Sequence, residues 1–399
     1  MRVALGCNTP RISLSLKLCM SRRQATDRLL KASRWIVILA ILGIGVAGVA
    51  ALKSLYADGS WYLLTVITSG KYNLYPSREL AGLITQTPLL LGLWIGVRDI
   101  DALARLYGVG LIGVPILLWI YALSRTVRTS TFWLFVLAFC WIYLIGGFFA
   151  IGEYNVAYAV VAAASAILVS VRIGKTDSLV LLLIAILSTR SYELMGFAGP
   201  ILGLATLGRL YREKPMMGKR IQLMTLLAAA LFLLGGGMGI WAILHPTNPV
   251  QLDGALSGLS LLVEPAILYA FTLSVMAILA SLKSVPSWLR PMLVGSGLTL
   301  AAGYFLHNSW HVPPSYSYAY RAVLVVPMMA GLSLLLIYTV MPRMKLWSGF
   351  VQTRSAVVLI CVLLVTQGAI FLADTYGFAK MVKAYRIELH RMKKSTSVN

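Results

Sequence analysis

Residues 52–106 read LKSLYADGSWYLLTVITSGKYNLYPSRELAGLITQTPLLLGLWIGVRDIDALARL. The stretch is too polar to cross a bilayer, yet it stands between two segments apolar enough to do so, Trp35 to Leu52 and Tyr107 to Leu123. It must therefore sit at one membrane face, and it brings there Asp58, Glu79, Asp99 and Asp101, four of the 13 acids in the chain. Mixed apolar and polar faces predict short interfacial helices over Ser60–Ser69 and Leu80–Val97, with Gly70 and Pro76 breaking the chain between them.

Working outward, 59% hydrophobic and 12% charged residues with a mean hydropathy of +0.82 describe a chain whose solvent is mostly lipid. A formal charge of +22 would suggest nucleic acid in a soluble protein. Here the basic residues flank apolar runs of roughly 20 residues, so they report orientation and no nucleic acid partner is implied. Apolar runs recur along the whole chain and predict an all-α, polytopic membrane bundle of about 11 spans. Residues 1–34 form a basic cytoplasmic segment, 35–374 the membrane domain with the loop 54–106, and 375–399 a basic tail. Every second connection is rich in Lys and Arg, while the intervening ones hold Glu153, Glu193, Asp253, Glu264 and Asp374. The loop is thus expected to be extracytoplasmic. An odd number of spans puts the basic tail on that same side, against the usual rule; a cationic interfacial helix binding anionic lipid is one reading of it.

Cys7, Cys19, Cys140 and Cys361 have no ligand spacing, so neither a disulfide framework nor a metal knuckle is indicated. His307 and His311 lack an evident third ligand, and Pro313 and Pro314 follow them; no cofactor is expected and a divalent metal is not supported. The glycines at 235–237 lie within an apolar run and read as close helix packing or a kink.

A first span leaving the cytoplasm, then an outer loop opening YADGSWYL, then TPLLLGLWIGVRDIDALARLYGVG, resembles the amino-terminal module of the GT-C glycosyltransferases, which include protein mannosyltransferases and aminoarabinose transferases. Pro88, an expected turn at Leu91-Gly92, and the Ala104-Arg105-Leu106 entry to the second span stand at the places of that pattern. The likeness covers about the first 170 residues in order and spacing. It implies an integral-membrane glycosyltransferase, and the compactness of the chain with its basic tracts points to a bacterial inner membrane. Such an enzyme moves a sugar from a polyprenyl-phosphate-linked donor to an extracytoplasmic glycan or lipid acceptor, with the lipid bilayer itself as a partner. Many members carry a second acid beside the loop Asp, whereas Asp58 is followed by Gly59.

An oxocarbenium-like transition state requires a carboxylate for the acceptor hydroxyl and cations for the leaving phosphate. Asp58 suits the base role, with a helix N-cap as its structural alternative. Glu153, in AIGEYNVAYAV, is the second candidate acid; it reads equally as a solvated carboxylate at a helix start. Glu193 stands near Arg190 in STRSYELMG, where the two either form a structural ion pair or serve the site. Arg78, Arg105, Arg190 and Arg321 are the candidate phosphate binders, since a guanidinium grips phosphate oxygens as a fork. Trp310 and Tyr318 could stack on a sugar or form an interfacial belt. Two other classes remain open. One is a membrane polysaccharide polymerase or ligase; the other is a secondary transporter, which would place its ionisable groups at mid-membrane in repeated, broken spans.

Overall fold

The computed structural model describes residues 32–56, 58–129, 131–145, 152–170, 172–245, 265–308, 328, 331–336 and 353–396. The described residues form helices, turns and connections, with no strand among them. Four helices are long and apolar enough to cross a membrane: α1 (Ala32–Ala50), α4 (Ile100–Thr126), α9 (Lys219–Leu244) and the bulk of the last helix, α12 (Arg354–Thr396). Between them lie α2 (Asp58–Ser69), α3 (Glu79–Trp94), α5 (Phe132–Ile145), α6 (Tyr154–Val169), α7 (Lys175–Ser188), α8 (Met195–Glu213), α10 (Pro265–Ser281) and α11 (Leu289–Asn308). Among the described residues, length and composition give four candidate membrane spans in an all-helical arrangement, fewer than the run of apolar segments suggests.

Lipid offers little hydrophobic drive between helices, so close approach through small residues does much of the packing. On α8, Gly196, Gly199 and Gly203 repeat at near-helical spacing and meet Gly239, Gly236 and Ala229 of α9 backbone to backbone. Gly235 faces the end of α7 at Ser188 and Thr189, while Gly237 points into open space, so two of the three consecutive glycines are packing residues. The alanine-rich α6 is buried along almost its whole length and packs on α4 and α7.

One end of the bundle is basic. There Arg34 donates to the Val127 carbonyl, Arg125 pairs with Asp177 at 2.7 Å, and buried Arg209 pairs with Glu213 at 2.6 Å. The opposite end carries the 52–106 segment. Its first feature is a turn over Lys53–Leu55 that leaves the end of α1 with Leu52 at φ 58. Two helices project beyond this level. Gly108 of α4 lies beside Ser54, so the first two turns of α4 rise past the end of α1. Likewise Asp374 of α12 pairs with Lys53 at 2.7 Å, and the helix then continues to Thr396.

The expected loop helices form, with one correction. Leu91-Gly92 is no turn: both residues lie inside α3, and the chain reverses at Gly96, whose φ is 88. A Cβ at Gly92 would overlap Leu106, and one at Gly110 would overlap the Thr85 carbonyl oxygen, so α3 folds back down along α4 with their backbones in near contact. Gly110 stands in a π-helical turn, Val109–Gly113, that widens α4 where α3 leans on it. Nor is α3 simply interfacial, since Ala81, Thr85, Gln86, Leu89 and Leu90 are buried against the bundle.

Gly110→Ala should push α3 off α4 and cost about 1–3 kcal/mol, read as a lowered melting temperature in detergent. Lys53 is 3% exposed, its ammonium lies 3.7 Å from the centre of the Phe371 ring, and burial lowers its pKa while Asp374 opposes that shift. Asp374→Asn leaves this charge without its carboxylate and should destabilise by about 2 kcal/mol, since Asp374 is itself partly solvated. A Lys53→Met change in the same background should recover part of the loss.

Candidate functional site

Two helices of unequal length set a step in the bundle at the loop-bearing end. α4 has 27 residues and its neighbour α6 has 16. At 1.5 Å per residue the Gly152-Glu153 turn preceding α6 is therefore set about 16 Å below the start of α4. The turn at 189–194 between α7 and α8 reaches the same depth, because the Leu80 amide donates to the Arg190 carbonyl at 3.0 Å. α3, descending along α4, delivers its first turn and the preceding residues 72–78 to this depth. The Asn73 backbone locks that segment by exchanging two hydrogen bonds of 2.8 Å with the Gln86 side chain.

Four sequence-predicted residues converge there. Glu153 is 8% exposed, and its Oε1 lies 3.5 Å from where a Cβ on Gly82 would stand, so Gly82 leaves room for the carboxylate. Arg78 donates from Nε to Glu193 Oε1 at 3.2 Å, with its guanidinium 4.6 Å from the centre of the Tyr192 ring. Ser77 donates to the same carboxylate oxygen at 3.0 Å. Arg190 pairs with Glu79. The expected Arg190–Glu193 pair is thereby corrected: the two residues lie in a turn, where side chains three apart do not share a face, and each instead takes a partner from the start of α3.

Other expectations resolve differently. Arg105 is exposed on α4 and belongs to none of these contacts. Trp310, Tyr318 and Arg321 lie outside the described residues. Asp58 opens α2 as its first helical residue; its side chain is outside the described set. Its neighbour Gly59 has a physical reason to lack a side chain, since a Cβ there would overlap the Ser54 carbonyl oxygen. A second acid beside Asp58 is therefore sterically barred. Among the described residues no group of three or more His, Cys, Asp or Glu side chains is placed to hold a metal.

The residues that sequence reasoning passed over are tyrosines. Tyr62 of α2 meets Tyr75 edge to face at 6.0 Å. Burial first, then the charge of Glu153, pushes the Tyr62 phenol well above its ordinary pKa, so it stays a neutral hydroxyl. Tyr154 packs on Tyr158 at 5.8 Å and on Tyr192 at 6.1 Å. A signal was present: two of the acids have a tyrosine beside them in sequence, Glu153-Tyr154 and Tyr192-Glu193. The result is a tyrosine-lined hollow with a buried carboxylate and a ring-supported guanidinium. Such an arrangement can move a proton, hold an anion and stack on a flat apolar face.

Comparison of the chain with known protein families, with characterised proteins and with solved structures finds no match.

The Arg78–Glu193 contact is only partly exposed, and both side chains also engage residues of the two converging segments. A double-mutant cycle with Arg78→Gln and Glu193→Gln should give a coupling of about 1 kcal/mol in thermal stability. The more exposed Arg190–Glu79 pair should give about half as much.

Proposed function

We propose that the protein is an integral-membrane glycosyltransferase that uses a polyprenyl-phosphate-linked sugar and an extracytoplasmic glycan or lipid acceptor. The observation that carries this reading is the buried Glu153 carboxylate beside Gly82 and Tyr62, with the Arg78–Glu193 pair at the same start of α3, at the level where α1 ends. That level is where the hydrocarbon core gives way to headgroups, so a donor whose lipid stays in the bilayer would present its phosphate and sugar there. The resemblance of the first 170 residues to the GT-C module points the same way.

In this reading the bond between the sugar and the phosphate oxygen breaks as the acceptor oxygen bonds to the sugar. Asp58 takes the acceptor hydroxyl's proton, and Glu153 orients that hydroxyl from the floor of the recess. Arg78 and Arg190 neutralise the departing phosphate, with Glu193 holding Arg78 over Tyr192. Trp310, Tyr318 and Arg321 would close the sugar and phosphate positions from the later loop. We also propose about 11 crossings, counting the shorter helices, with the basic end in the cytoplasm of a bacterium and the recess outside its inner membrane. The charge asymmetry between the two ends supports that orientation.

Membranes containing the chain should release polyprenyl phosphate from a radiolabelled polyprenyl-phosphate sugar when an acceptor is supplied. Glu153→Gln and Asp58→Asn should each slow release by about 100-fold while leaving the melting temperature within a few degrees. Full activity in both variants, or movement of a solute across the membrane with no cleavage, would overturn the proposal.

A further inference from the structure

The last helix is longer than its crossing requires. α12 has 43 residues, about 65 Å at 1.5 Å per residue, against a hydrocarbon core of about 30 Å. Asp374 is tied to Lys53 at the end of α1, so the 20 residues or so beyond it continue about 30 Å outward as one helix. One stripe of this extension is held. Phe378 meets Tyr56 edge to face at 5.7 Å, Val382 packs against the core, and Arg386 pairs with Asp101 at the top of α4.

The other stripe is open. Tyr376, 63% exposed, shares it with exposed Lys380, Lys383 and Ile387 at helical spacing, while Met381 and Tyr385, 65% exposed, stand on the flank beside the held stripe. The Lys380 ammonium sits 4.6 Å from the centre of the Tyr376 ring. Beyond these the helical sequence continues with Arg391, Lys393 and Lys394, and Glu388 is the one acid after Asp374.

We propose that this projecting helix is a docking post for an anionic polysaccharide. The charge is complementary, and an exposed tyrosine beside two lysines, Tyr376 with Lys380 and Lys383, suits a ligand that offers both sugar faces and carboxylates. Bilayer lipid fits less well, because the headgroup layer adds only about 5–8 Å per side and leaves most of the post above it. Nucleic acid is disfavoured by orientation, since the post stands at the end opposite the basic connections that mark the cytoplasm. The proposal goes beyond the transfer reaction; it stands on the geometry of α12 and on the orientation proposed above.

The test uses the full chain in phosphatidylcholine nanodiscs, with polygalacturonate as the anionic glycan, neutral dextran as its control, and a single-stranded oligonucleotide and phosphatidylglycerol nanodiscs as competing anions. Wild type should bind polygalacturonate and not dextran, with affinity falling about tenfold between roughly 0.05 M and 0.3 M salt. Changing Lys380, Lys383, Arg391, Lys393 and Lys394 to Gln should weaken that binding at least tenfold with the melting temperature unchanged. A Tyr376→Ser and Tyr385→Ser pair should weaken it further at fixed charge. Undiminished binding in the Gln variant, equal or tighter binding of the oligonucleotide, or loss of polygalacturonate binding in phosphatidylglycerol discs would each overturn the proposal.

Discussion

The near contact of α3 with α4 governs the rest of this end of the molecule. Thr85 can bring its carbonyl against α4 only because Gly110 has no side chain, and Gly92 performs the same service for Leu106 one helix length away. Held at both points, α3 cannot lie flat along the membrane. It runs down the flank of α4 and carries Arg78, Glu79 and Gly82 to the depth of Glu153 and Glu193. Without that contact the two carboxylates, which belong to turns preceding α6 and α8, would face a loop with nothing to fix it there.

A second consequence follows from helix length. α6 and α7 are short, and their ends cannot reach the rim made by α4 and α12. The unequal lengths leave these turns below that rim. Polar side chains gather there, where the backbone at the ends of α6, α7 and α8 also needs partners. Ionisable groups thus meet at the edge of the bilayer and the interior of the bundle remains largely apolar.

Much of this was legible in the residues. Hydropathy runs announced helices and a membrane, basic connections announced which ends cluster, and the Gly70 and Pro76 breaks marked where the loop divides. Glu153 and Glu193 were singled out, and each stands against the start of α3, Glu153 at Gly82 and Glu193 at Arg78. Pairing was the part that could not be read: whether Arg190 takes Glu193 or Glu79 depends on how a turn is presented to a helix 110 residues earlier, which periodicity does not encode. Leu91-Gly92 misled for a related reason. A glycine in a loop-like stretch reads as a reversal, but here it is a contact surface inside a helix, and the reversal belongs to Gly96. The tyrosines were missed because single aromatics near a membrane edge are ordinary, and only their convergence from four segments sets these apart. Gly59 offered the opposite lesson: its apparent departure from a family pattern has a plain steric cause.

The clasp between Lys53 and Asp374 joins residues 321 positions apart. During synthesis the lysine enters its place long before its carboxylate exists, so for most of translation that corner of the protein must keep an ammonium solvated at the lipid edge. Only when the final helix inserts can the amino-terminal turn settle into its dry position. The corner whose residues emerge first is therefore the one completed last, by the final helix.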